Sequence, residues 1–261
     1  MSKQTALITG ASSGIGYEFA QLFAKNGHDL ILVARGEAKL RELAQSLASQ
    51  YNIKATVLPK DLAHPNAPVE IFADLQQQGI QVDILVNNAG FASYGLFHEL
   101  ETAKELEMIQ VNVLALTHLT RLFLPGMVTR RTGRILNVAS TAAFQPGPLM
   151  AVYYATKAFV LSFSEAIANE LEGTGVTVTA LCPGPTASGF QTRAAMQDSK
   201  LVQSGLMTTT DVVQQGYSAL MQGKTVVIPG WSNKIGALAT RFVPRQMTAR
   251  LVRRMQERTG H

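Results

Sequence analysis

The chain has 261 residues, 46% of them hydrophobic and only 16% charged, which fits a folded α/β enzyme and excludes a disordered chain. Its net charge of +5 is concentrated: seven basic residues against Glu257 give the segment 234–261 a charge of +6, leaving a near-neutral body and arguing against a nucleic-acid partner. The single cysteine, Cys182, excludes an internal disulfide and reads as a small buried hydrophobe; no histidine–cysteine cluster marks a metal site, and no apolar run reaches the ~18 residues of a membrane span.

The first strand, Thr5–Thr9, begins too near the N-terminus to leave room for a signal peptide, so a cytoplasmic protein is expected. It runs into Gly10-Ala11-Ser12-Ser13-Gly14-Ile15-Gly16 and then a helical pattern, Ile15–Lys25. Glycines let the backbone approach phosphates, and a helix N-terminus presents free N–H groups with partial positive charge. A dinucleotide pyrophosphate is therefore expected on Gly10, Ser12, Ser13, Gly14, Ile15 and Gly16, although the spacing differs from the common G-x-G-x-x-G fingerprint.

The second strand, Leu30–Val33, leads into Ala34-Arg35, with no acid where an NAD site would hold the ribose 2′-hydroxyl. Arg35 suits a 2′-phosphate, so the expected cofactor is NADP(H). Alternation continues through helix Glu37–Gln50, strand Ala55–Leu58, helix Val69–Gln78, strand Ile84–Val86, the long helical pattern Ala103–Arg130 and strand Arg134–Val138. Helix Val152–Glu172, strand Val176–Leu181, helix Thr210–Met221 and strand Thr225–Ile228 complete it. This βαβα rhythm predicts α/β class: a single-domain, doubly wound (Rossmann) parallel sheet of about seven strands with helices on both faces. The stretch from about 185 to 209 breaks the rhythm. It carries Phe190, Met196, Leu201, Val202, Leu206 and Met207, and at the C-terminal edge of a parallel sheet it reads as an apolar substrate lid.

Tyr153 and Lys157 are four residues apart, thirteen residues beyond Ser140. On a helix they share a face, and a cation beside a phenol favours the phenolate, which would let a tyrosine exchange a proton near neutral pH. Tyr154 points about 100° away and lacks that relation.

With T-G-A-S-S-G-I-G at Thr9–Gly16, Asn87-Asn88-Ala89-Gly90, Ser140, Tyr153-x-x-x-Lys157 and Pro183-Gly184 in this order, the chain resembles the short-chain dehydrogenase/reductase family from residue 5 to about 190. Within it, the likeness is to NADP(H)-preferring hydroxysteroid-dehydrogenase-like and ketoacyl-reductase-like members. The resemblance implies an oxidoreductase interconverting a ketone and a secondary alcohol, with 3-oxoacyl thioester reduction as the alternative; a silent dinucleotide sensor is the reading from another class. It implies that Tyr153 is the general acid/base, that Ser140 holds the carbonyl, that Lys157 tunes the tyrosine and binds the nicotinamide ribose, and that Asn112 holds a relay water. It also implies cofactor contacts from Asp61 and Leu62, from Asn88, Ala89 and Gly90, from Tyr153 and Lys157, and from Pro183, Gly184, Thr186 and Ser188. Asn87 would brace the sheet. Ser188 departs from the usual threonine by a lost methyl.

Ala142, Ala143, Phe144, Leu149 and Met150 suggest a small-molecule carbonyl or alcohol substrate of apolar character. A homo-oligomer, dimer or tetramer, is expected. The basic C-terminal segment 234–261 reads as a helix docked on the body or on a neighbouring subunit, with peripheral membrane association the less favoured reading.

Overall fold

The computed structural model describes residues 3–194, 196, 205–240 and 242–257. Among them, β1 (Thr5–Thr9), β2 (Asp29–Ala34), β3 (Ala55–Pro59), β4 (Ile84–Asn87), β5 (Gly133–Val138), β6 (Val176–Leu181) and β7 (Val226–Val227) form one sheet. Its order is β3-β2-β1-β4-β5-β6-β7, and every pairing is parallel. Parallel neighbours need crossover connections, and the helices supply them. These are α1 (Gly14–Lys25), α2 (Glu37–Tyr51), α3 (Ala67–Gln77), α4 (Thr102–Ile109), α5 (Leu116–Arg130), α6 (Ala151–Glu170), the short α7 (Phe190–Arg193) and α8 (Thr209–Met221). Two further helices, α9 (Trp231–Ala239) and α10 (Arg245–Gln256), follow the last strand.

Strand alternation sends successive side chains to opposite faces, so the sheet carries two cores. Ala6 and Ile8 of β1 pack with Phe19 and Phe23 of α1 and with Leu40 and Leu47 of α2. Leu7, between them, joins Ile71 of α3, Leu119 and Phe123 of α5, and Ile167 of α6 on the other face. Each fully buried leucine, isoleucine or phenylalanine among them stabilises the fold by roughly 1.5–3 kcal/mol.

The helical run Thr102–Arg130 is long and apolar enough, by length and composition, to cross a bilayer, contrary to the expectation from sequence that no run qualifies. In the fold Val111, Ala115, Leu119, Phe123 and Met127 bury against Leu7, Leu85 and Ile135. A helix covering a parallel sheet needs a wide apolar stripe, which explains the composition. One π-helical turn, Gln110–Ala115, interrupts the run and holds Asn112.

Strand order reverses between β1 and β4, with β2 and β3 on one side and β5 to β7 on the other. At such a switch point the connecting loops diverge and leave a crevice at the carboxyl ends of the strands.

Candidate active site

A cleft of about 850 Å³ opens at that crevice. Of the catalytic and cofactor-binding residues expected from sequence, all line it except Gly16 and Asn112. Gly16 is spent on packing: a methyl group there would come within 2.3 Å of the Gly10 carbonyl oxygen, so only glycine lets α1 start this close to β1. Ser13 caps α1 in an extended conformation without a side-chain hydrogen bond, leaving the helix N-terminus to the cleft. The loop fits the pyrophosphate of a dinucleotide on these grounds.

Thr9 ties this loop to its neighbour. Its Oγ1 accepts from the backbone N–H groups of Asn88 and Ala89, each at 3.0 Å, and donates to the Val86 carbonyl. The Asn88 amide donates to the Thr9 carbonyl at 2.8 Å, so its NH₂ group braces the glycine loop, where the resemblance implies only a cofactor contact. Asn87 donates to Thr120 and to Asn137 inside the sheet, a bracing role.

The residues expected to handle the proton converge in the middle of the cleft. Tyr153 and Lys157 lie on α6, both buried, with the Lys157 ammonium 5.8 Å from the centre of the Tyr153 ring. Lys157 donates to the Val138 carbonyl at 2.7 Å. Burial pulls the lysine down to about 8. Burial also pushes the Tyr153 phenol above its ordinary value, with a hydrogen bond from Ser140 working the other way. This is opposite to the direction expected from the sequence pair alone: removing the phenol from water outweighs the Ser140 hydrogen bond.

Ser140 follows β5 by two residues and caps a 3₁₀ turn, Thr141–Phe144, where its Oγ accepts from Ala142 N–H at 3.1 Å. Asn112 donates to the Phe91 carbonyl and to Thr156, and its Oδ1 accepts from Phe91 N–H. A methyl group on Gly90 would lie 2.9 Å from Asn112 Oδ1 and 3.6 Å from Lys157 Nζ, so a side chain at Gly90 would crowd both groups.

At the other end, Arg35 is exposed and its guanidinium stands 4.0 Å from the Asp61 carboxylate. Asp61 also accepts from Ala63 N–H at 3.0 Å, a turn-capping role that the sequence leaves open beside its adenine role. Lys39, on the first turn of α2, joins Arg35 on the cleft wall, as does Lys60, which is paired with Glu70 and Asp74. The sequence reading missed Lys39.

The far wall comes from beyond β6. Pro183, Gly184, Thr186 and Ser188 line it, Ser188 lying directly against Gly14 across the cleft. Phe190 stands 5.3 Å from Tyr153, ring to ring, and Met196 is buried in the same cluster with Ala142, Met150 and Tyr154. Ala143 and Phe144, read from sequence as substrate contacts, pack instead beside Val160 and Cys182, because the 3₁₀ turn rotates them away. Leu149 adopts φ 69°, a left-handed conformation costly for a bulky residue, next to Met150 in the cleft. Leu201 and Val202 of the expected lid lie outside the described residues. Cys182 is fully buried, and its thiol is pushed up to about 12 by burial.

The last wall residue was not legible at all. Gln256, at the end of α10, donates from Nε2 to the Tyr154 hydroxyl at 2.6 Å, and its backbone carbonyl accepts from Tyr94. Through Thr248, Val252 and Gln256 the tail helix packs on the body, and Val252 joins the cluster around Tyr153 and Tyr154. Tyr154 is pushed up to about 12 by this burial.

The chain belongs to the short-chain dehydrogenase family, whose model, described as short chain dehydrogenase, matches residues 4–199. It is 36% identical over 241 residues to a very-long-chain 3-oxoacyl-CoA reductase of Pyrenophora tritici-repentis, covering 88% of this chain and 63% of that one. The chain thus spans about three fifths of that relative's length. Among solved structures, a short-chain dehydrogenase from Sphingobium yanoikuyae in complex with NADPH superposes with a TM-score of 0.83 at 34% identity, covering 92% of this chain and 93% of that chain. The bulky-bulky ketone specific alcohol dehydrogenase from Comamonas testosteroni superposes with a TM-score of 0.79 at 28% identity, covering 100% of this chain, tail included, and 97% of that one.

Proposed function

We propose that the protein is an NADP(H)-dependent oxidoreductase interconverting a ketone and a secondary alcohol on an apolar substrate. The observation that carries this reading is the buried Tyr153 phenol within hydrogen-bonding reach of Ser140, with Lys157 one turn away and Asn112 behind it. When bound, the nicotinamide supplies or takes up the hydride.

In the reductive direction Tyr153 gives its phenolic proton to the carbonyl oxygen as that oxygen becomes an alkoxide. Ser140 donates to the same oxygen. Its Oγ accepts from Ala142 N–H at 3.1 Å and donates to the Pro183 carbonyl at 3.4 Å, a long bond that a substrate carbonyl can replace, so the serine stabilises charge and is not a nucleophile. The Lys157 ammonium stabilises the phenolate left behind, and the Val138 carbonyl fixes its position. Met150, Phe190 and Met196 exclude water around these groups and match an apolar substrate.

NADP(H) is supported by Arg35 and Lys39 on the wall beyond β2 and by the NADPH complex of the Sphingobium yanoikuyae relative. Reduction of a 3-oxoacyl thioester is the second reading, favoured by the activity in the name of the Pyrenophora tritici-repentis relative. We also take the enzyme to be a cytoplasmic homo-oligomer; exposed Leu106, Leu114 and Phe159 on the α4–α6 region support self-association.

Absorbance of the reduced cofactor, followed with a panel of bulky ketones and 3-oxoacyl thioesters and with NADPH or NADH, tests the proposal. Faster turnover of thioesters selects the second reading. Tight NADPH binding without turnover of any carbonyl would make the protein a dinucleotide sensor and sink both.

A further inference from the structure

The tail helices use only a narrow part of their surface to hold the fold. α9 buries Ala237, and α10 buries Thr248, Val252 and Gln256, spaced four residues apart on one face. Their remaining apolar side chains point outward. Trp231 is 75% exposed and Phe242 82%, and Ile235, Leu238, Met247 and Leu251 are each more than half exposed. The spacing is helical again: Trp231, Ile235 and Leu238 form one stripe, and Met247 and Leu251 lie one turn apart on a flank of α10 beside its buried face. Isolated exposed hydrophobes are ordinary, but five large ones on two consecutive helices and a sixth, Phe242, between them mark an interaction surface.

The charge around the patch names the partner. Lys234, Arg245, Arg250 and Arg254 are exposed on the same two helices, while the segment's single acid, Glu257, sits beside Arg253 at 4.0 Å. An amphipathic helix with aromatic and aliphatic residues on one side and arginines flanking them suits the boundary between lipid headgroups and acyl chains. A second copy fits less well, because a two-fold contact would set one +6 tail against another. The near-neutral body does not oppose approach to an anionic surface.

We propose that α9, Phe242 and α10 form a docking face for an anionic lipid bilayer. Packing on the body and binding lipid are not alternatives in this fold, since α10 uses different faces for each. Both helices also border the cleft: Asn233 of α9 stands against Gly184, and Gln256 of α10 holds Tyr154. Docking therefore sets the substrate end of the cleft beside the membrane, within reach of a lipid-soluble carbonyl compound. The proposal concerns binding and stands apart from the proposed activity.

Trp231 is the only tryptophan in the chain, so its emission reports this face directly. The full chain is mixed with vesicles of phosphatidylcholine alone or with phosphatidylserine added, at low and high salt, and read by tryptophan emission and co-sedimentation. A blue shift and co-sedimentation with the phosphatidylserine vesicles, both weakening with salt, are expected. Arg250→Ala and Arg254→Ala should each weaken binding roughly fivefold. Leu251→Glu and Phe242→Glu should weaken it by about tenfold or more while melting temperature and solution mass stay unchanged. Absence of binding to phosphatidylserine vesicles, or equal binding to phosphatidylcholine alone, overturns the proposal. So does a drop in oligomer mass in Leu251→Glu, which would show that a second copy covers this face.

Discussion

The nucleotide end of the cleft is framed by the ends of β1, β2 and β4, three adjacent strands, whereas the substrate end is closed by Phe190, Met196 and Gln256 from beyond the sixth strand. At the first end the shape comes from backbone: glycines, a helix N-terminus and the hydroxyl of Thr9, all fixed by the register of a buried sheet. At the second end the shape comes from side chains on short elements packed over Tyr153 and Tyr154. A cofactor that is the same in every turnover suits the rigid frame. Substrate choice belongs to the wall, where one side chain can be exchanged without disturbing the sheet.

Substitutions at the two ends test this division, and the largest effect belongs to the residue between them. Tyr153→Phe keeps the ring and its packing but removes the proton, so kcat should fall by about 10²–10⁴ while NADPH affinity stays within a few-fold. A comparable loss in Tyr154→Phe with little in Tyr153→Phe would show that the acid/base has been misassigned.

Lys157→Met probes the cost of holding a buried cation at the junction. Lys157 has a folded pKa of about 8 against an ordinary 10.5, so at pH below about 8 the fold must bury a charged group that the unfolded chain keeps in water. Between those values the unfolded state binds more protons, and wild-type stability contributed by this group rises with pH. Lys157→Met should therefore melt several degrees higher than wild type at pH 7, with the gap shrinking toward pH 10.5, and should lose activity. A lower melting temperature across that range would mean that the Val138 hydrogen bond outweighs desolvation.

At the nucleotide end, Arg35→Ala should weaken NADPH by roughly tenfold, the lower part of the range for a charge-assisted hydrogen bond because the guanidinium is exposed. NADH should be nearly unaffected, and adding Lys39→Ala should widen the difference. Titration of both cofactors decides it, and equal losses would remove the NADP(H) assignment. The smallest effect belongs to the substrate end: Tyr154→Phe removes the Gln256 contact without touching the reacting groups, so KM for a bulky ketone should change a few-fold with NADPH affinity constant. If cofactor affinity moved instead, the two ends would not be separable.

The sequence by itself determined the sheet, the glycine loop and the pairing of Tyr153 with Lys157, because each rests on local pattern: strand-like and helix-like stretches in alternation, glycines at one turn, four residues along one helix; Ser140 came with the family resemblance. Arg35 was legible from its place at the end of β2, whereas Asn112, inside a long helical run, and the residues after β4 and β6 were carried by the family resemblance. Only the tertiary structure decided which way the phenol pKa moves, since burial depends on Phe190, Met196 and Val252, none of them near Tyr153 in the chain. It alone turned Ala143 and Phe144 away and brought Gln256 to Tyr154. Periodicity records which face of a helix is apolar. It does not record what that face meets, because the meeting is set by packing between elements that share no local pattern.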